Sequence, residues 1–209
     1  MVSRLNTGLA ALLTLMVLPT LVVADLPTPR LDILQPVGLV AGNTTEVLVQ
    51  GNDLDGCETL LLGHPGLRAE FVKAENPNRL HFKLSASGDV PTGTYDVYAS
   101  GRFGISNPRV VHVVRGVADV LEVEPNNNAA MAQIVALNVA ISGQGDGNNQ
   151  DFFQLPLKTG QRITIDCWSA RLETEMDPTL AVYAANGQQL ASNSDYYGRD
   201  PLIDFIAPA

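Results

Sequence analysis

The sequence predicts an all-β fold in two consecutive sandwich modules, on three observations. Short runs alternate apolar and polar residues, turn-forming clusters separate them, and no long stretch shows the 3.6-residue apolar period of an amphipathic helix. With 18 glycines and 13 prolines in 209 residues, the chain is punctuated too often for long helices.

In the first half, strands are expected over Thr45–Gln50, Leu80–Leu84, Tyr95–Tyr98 and Val110–Val114. Between them stand Gly51-Asn52-Asp53, Gly63-His64-Pro65-Gly66, Asn76-Pro77-Asn78 and Pro91-Thr92-Gly93-Thr94, all turn chemistry. The spacing is that of a β-sandwich. A boundary falls near Gly116–Asp119, where an acidic, Asn-rich linker begins.

The second half starts with Ala129–Leu137, whose Ala, Met and Gln favour one or two helical turns. Strands follow at Phe152–Leu155 and Arg162–Trp168. In the latter, Ile163, Ile165 and Cys167 share one face, and Arg162, Thr164 and Asp166 the other. Thr179–Tyr183 and Gln189–Ser192 form a hairpin around Ala185-Asn186-Gly187, since Asn-Gly suits the tight turns that join antiparallel strands. Leu202–Ile206 reads as a further strand.

The N-terminus has the order of a secretory leader. Arg4 supplies a basic head, Leu9–Val23 an apolar middle, and Val22-Val23-Ala24 a small-residue cleavage site. Cleavage after Ala24 is expected, giving a signal peptide (1–24) and modules over 25–116 and 117–209. Pro19 interrupts the stretch before it reaches the ~20 apolar residues of a spanning helix, so no membrane insertion is expected after cleavage. Arg4 leaves with the leader and all 22 acidic residues remain, so the mature net charge is −10, from 12 basic and 22 acidic residues. An acidic chain without a basic cluster repels phosphate backbones, and nucleic acid is not expected as a partner. Cys57 and Cys167 fall in different modules and are expected as two separate buried thiols.

Enzyme signatures are lacking: no nucleophile elbow, zinc helix, phosphate loop or dinucleotide fingerprint occurs. His64 sits in a Gly-Pro turn, while His81 and His112 alternate with apolar residues at expected solvent-facing strand positions. Asn43-Thr44-Thr45 is a glycosylation sequon. Trp168, Tyr183, Tyr196 and Tyr197 could supply an aromatic platform for a polymer.

One cluster has metal chemistry. Calcium takes six to eight hard oxygen ligands in a flexible cage. Glu122, Glu124 and Asn126 fall on one side of an extended segment at period two, with Asn127 beside them. A turn holding Asp146, Asn148 and Asp151 could complete the shell. The same residues also suit a solvated linker and a polar turn, with Asn capping backbone groups.

Several motifs in order carry a family resemblance. Glu124-Pro125-Asn126-Asn127, Ala132-Gln133, Gly143, Asp151-Phe152-Phe153, Gly160-Gln161, Met176-Asp177-Pro178-Thr179-Leu180 and Asn186-Gly187 resemble the bacterial pre-peptidase C-terminal (PPC) domain across residues 119–209. That family implies a jelly-roll β-sandwich appended to secreted proteases and other exported proteins. Some members, among them collagen-binding domains of secreted collagenases, bind calcium through the acidic linker. The resemblance puts those ligands on Glu122, Glu124 and Asn126. Asn127 and Asn148 stand where calcium-binding members tend to carry aspartate, which implies a weaker site. Such domains continue past the turn at Ala207-Pro208-Ala209 with a Gly-x-Tyr strand and a closing strand, so the resemblance implies an incomplete sandwich.

Residues 31–114 are similar to IPT/TIG immunoglobulin-like domains. The resemblance rests on Gln35-Pro36-Val37-Gly38, Val49-Gln50-Gly51-Asn52-Asp53-Leu54, Pro91-Thr92-Gly93-Thr94-Tyr95 and Gly104-Ile105-Ser106-Asn107-Pro108. The expected architecture is thus an immunoglobulin-like β-sandwich followed by a jelly-roll β-sandwich. The expected function is that of an exported, non-catalytic accessory protein or fragment, secreted, periplasmic or at the cell surface, whose partner is an extracellular polymer or protein. Two alternatives stay open: the N-terminal part of a secreted, protease-associated hydrolase, and a carbohydrate- or collagen-binding module.

Overall fold

The computed structural model describes residues 26–145, 147 and 150–208. The expected leader, and Asp146 and Asn148 of the candidate cluster, lie outside the described residues. Described elements are strands apart from two single 3-10 turns.

The first half holds β1 (Arg30–Gln35), β2 (Gly38–Val40), β3 (Thr44–Asn52), β4 (Thr59–Leu62), β5 (Leu67–Asn76), β6 (Arg79–Ala86), β7 (Gly93–Gly101), β8 (Gly104–Ile105) and β9 (Arg109–Val114). They make two sheets, ordered β1-β3-β6-β5 and β2-β9-β7-β4, with β8 paired to β7. All pairs are antiparallel except β2–β9. Alternation decides which face turns inward. Val47 and Val49 of β3, Leu80, Phe82 and Leu84 of β6, Val97 and Ala99 of β7, and Val111 and Val113 of β9 are buried in one core. Phe82 stands edge-on to Phe71, ring centroids 5.5 Å apart.

Two strands depart from regular pairing. Edge strand β5 slips register against β6 between Phe71 and Lys73 and again between Ala74 and Asn76. Strand β9 breaks the alternation, since Val110, Val111, His112 and Val113 are all buried. Its inward face packs on the core and its outward face is covered by the second half of the chain. His112 is therefore not solvent-facing, as its alternation had suggested. It is 8% exposed and stacks on Trp168, with ring centroids 3.9 Å apart. His81 does lie on an outer face, clamped between Glu46 (3.1 Å) and Glu75 (2.8 Å).

The second half holds β10 (Ala118–Leu121), β11 (Gln133–Ile134), β12 (Val139–Ser142), β13 (Phe153–Gln154), β14 (Arg162–Asp166), β15 (Leu180–Tyr183), β16 (Gln189–Asn193) and β17 (Leu202–Ile206). They pair two by two. β10–β12 and β11–β13 are parallel, and β14–β17 and β15–β16 antiparallel. The Asn-Gly hairpin joins β15 to β16 as expected, with Gly187 at φ +84°, a conformation that favours glycine. The helical turns expected over 129–137 reduce to one 3-10 turn, Ala129–Met131. Asn128 Oδ1 caps it, accepting from the N–H groups of Ala130 and Met131, and Gln133 then pairs with β13. Among the described residues, the buried apolar side chains of this half are Val135, Leu172, Pro201, Ile203 and Ala207, far fewer than in the first. Cys57 is buried, Cys167 half-buried, and both are free thiols.

The halves meet along β2 and β9. A Cβ on Gly38 would lie 2.8 Å from Ser142 Oγ, Gln35 Nε2 donates to Gln144 Oε1 (2.7 Å), and an Arg109 N–H donates to the Glu173 carbonyl (2.9 Å).

Candidate metal centre

The chain leaves β10 in an extended run that the Gln133 side chain holds at two points. Gln133 Oε1 accepts from the Val123 N–H (2.9 Å), and its Nε2 donates to the Leu121 carbonyl (3.0 Å). Glu122 between them is thereby fixed. One of its oxygens accepts from Asn126 Nδ2 (2.9 Å), the other from the Gln144 N–H (2.9 Å). Glu124 Oε2 accepts from the Asn126 N–H (3.0 Å). The loop after β12 can approach this closely because residue 143 is glycine: a Cβ there would stand 2.5 Å from Glu122 Oε2.

Asp151 arrives through the backbone. The Phe152 N–H donates to the Asn126 carbonyl (2.9 Å), which draws the start of β13 against the acidic run. Carboxylate oxygens of Glu122, Glu124 and Asp151 then lie within 4.8 Å of one another. Two like charges at about 5 Å repel by ~1 kcal/mol even in the dielectric of bulk water, so three together favour a cation among them. Asn126 supplies a second observation. It is 0% exposed, and its Oδ1 has no hydrogen-bond partner. A buried carbonyl oxygen left unpaired costs ~1–3 kcal/mol, whereas a hard cation would satisfy it. The donor set of carboxylates plus one amide oxygen is calcium-like, and the residues present fit such an ion. Asn127 is exposed. Gln133 and Gly143 shape the cluster without offering charge; the sequence marks both as motif positions but not as ligands.

A second polar constellation sits where β14 meets the turn before β17. Asp200, 0% exposed, accepts from the N–H groups of Ser169 (3.0 Å), Ala170 (2.6 Å) and Arg171 (3.0 Å), and from Arg171 Nε (2.8 Å). Burial pushes its carboxyl up, but these donors outweigh burial and hold it below the usual carboxylate range. Arg171 also bonds Asp166 (2.5 Å), and its guanidinium lies 3.9 Å from the Trp168 ring centroid and 4.7 Å from that of Tyr197. Burial and the neighbouring Asp200 and Asp166 carboxylates push the Cys167 thiol up to about 11, which makes it a poor nucleophile. Three of the four candidate platform aromatics gather around Arg171: Trp168 and Tyr197 both lie against its guanidinium, and Tyr196 packs edge-on to Tyr197. Trp168 also stacks on His112, and Tyr183 stands apart, near the turn end of the β15–β16 hairpin.

No family model matches the chain. It is 26% identical over 197 residues to a probable subtilase-type serine protease of Deinococcus radiodurans, a match covering 86% of this chain and 27% of the protease. The chain thus spans about a quarter of that relative's length. Among solved structures, it is similar to SGBP-B of the Bacteroides ovatus mixed-linkage glucan utilization locus, in complex with a mixed-linkage heptasaccharide. That match has 14% identity and a TM-score of 0.34, over 89% of this chain and 37% of that one. A match to DIP-gamma IG1+IG2 has 11% identity and a TM-score of 0.28, over 88% and 84%.

Proposed function

We propose that this chain is an exported, non-catalytic accessory region of the kind attached to secreted proteases, and that its second module binds calcium. The supporting observation is the convergence of Glu122, Glu124 and Asp151 around the buried, unpartnered oxygen of Asn126. Calcium would be held by those four side chains, with Asp146 and Asn148, just ahead of Asp151 in sequence, as further candidate ligands. Bound there, the ion supplies no chemistry on a substrate. It neutralises the acidic run and ties the segment after β10 to the start of β13.

The protease-associated reading takes its support from the alignment with a quarter of a subtilase-type protease. The secretory pattern of residues 1–24 is consistent with that setting, and no described helix is long and apolar enough to cross a membrane.

The test is calorimetric titration of the full chain with calcium, together with melting in calcium and in chelator. Ligand binding to the native state raises its stability by mass action, so calcium should raise the melting temperature, and E122Q with E124Q should abolish the rise. Absence of both heat and shift in the wild type would reduce the cluster to a linker. An active-site serine probe that labelled the chain would sink the non-catalytic reading.

A further inference from the structure

We infer that the contact between the two halves is a pH-operated clasp, closed by neutral His112 stacked on Trp168 and released when the imidazole takes a proton. His112 projects from the outward face of β9, away from the core beneath it, and is buried only because the second half covers it. Its ring lies 3.9 Å from that of Trp168 at 26°, a stacked geometry, and Thr94 Oγ1 of β7 is 3.4 Å from Nδ1.

The groups around this stack disfavour a second positive charge. The same indole already carries the Arg171 guanidinium at 3.9 Å. Asp166, the acid that would favour an imidazolium, is taken by Trp168 Nε1 (2.8 Å) and by Arg171 (2.5 Å). Asp200 is occupied by its four donors, and Glu173 faces Arg109 of β9 at 3.8 Å. β2, beside β9, contributes Gly38, Leu39 and Val40, none of them titratable; β7, on the other side, sets Thr94 opposite His112 and the exposed Asp96 opposite Val110. Burial first, and Arg171 second, hold His112 below the usual histidine range, with Asp166 opposing.

The sign follows from linkage. Closed, His112 binds fewer protons than it does open, so closure is fully favoured above the ordinary histidine pKa of ~6.5 and weakens as pH falls below it. One linked proton changes the closing equilibrium by up to about tenfold per pH unit within that window. The other histidines lie elsewhere: His81 is on the opposite sheet, and His64 in the β4–β5 turn accepts from the Gly66 N–H.

Trp168 is the chain's single tryptophan and therefore a reporter built into the interface. The experiment follows its emission and the radius of gyration of the full chain from pH 7.5 to 5.0, at fixed calcium. The expected result is a red shift and an expansion that move together with a midpoint below pH 6.5. His112→Phe and His112→Gln, both uncharged, should flatten the response, and His81→Gln should keep it. Three results would each overturn the clasp: constant emission and radius in the wild type, an equal transition in both His112 variants, or quenching without expansion.

Discussion

Asn126 donates its side-chain N–H to Glu122 at 2.9 Å, while its own Oδ1 is buried with no partner. That half-satisfied amide makes a charge change at this position informative. Asn126→Asp replaces the donor by a carboxylate facing Glu122, so the calcium-free chain should melt lower than wild type. The rise on adding calcium should be larger, because a further negative ligand joins the shell. Melting curves in chelator and in calcium would check both directions.

Gly143→Ala tests the same cluster without touching charge. The new Cβ would meet Glu122 Oε2 at 2.5 Å, so Glu122 must shift and lose the Gln144 N–H. Loss of one charge-assisted hydrogen bond costs ~1.5–3 kcal/mol. Urea unfolding should show that loss, and titration should show weaker calcium binding.

Asp200→Asn should be more damaging than most single changes. The carboxylate accepts four N–H bonds in a buried site, and breaking a buried ion pair typically costs ~3–5 kcal/mol. Asp200 is held below its ordinary pKa, so the ionised form's contribution is fully present above ~4 and is lost as pH falls through the lower folded value. The gap between wild type and variant in denaturant melts should therefore be widest near neutral pH and narrow in acid.

Phe82→Ala probes the first core. Phe82 is fully buried, and such truncations cost ~3–5 kcal/mol. A denaturant midpoint within error of wild type would contradict the packing described for β6.

Secreted material should begin at Asp25. Mass spectrometry that found residues 9–23 still attached would mean an anchored protein instead.

Local alternation made most of the first half legible, since strands such as β3 and β6 bury every second residue against the same core. The acidic run was visible in its residue types, but the chain bends at Glu124, and Glu122 and Asn126 are joined by their own side-chain hydrogen bond rather than by strand alternation. What alternation cannot register is a second body packing on a strand's outer face. Hence His112 reads as exposed, and Trp168 as part of a platform rather than its partner. The role of Asp200 is equally hidden. Arg199-Asp200-Pro201 looks like an ordinary polar turn, and the N–H groups it serves lie about 30 residues earlier in the chain. The bond between the Phe152 N–H and the Asn126 carbonyl brings Asp151 towards Glu122, a pairing with no signature in residue types.

The two register slips in β5 bear on how this protein behaves at high local concentration. A ten-residue strand at the rim of a sheet offers its free N–H and C=O groups as a template for another copy's strand. In β5 the slips interrupt that row, and Arg68, Glu70, Lys73 and Glu75 set charges of both signs along it. A second β5 laid alongside would meet broken spacing and like charges in many registers. Crowded copies of this chain should thus be hindered from adding strand to strand along this border.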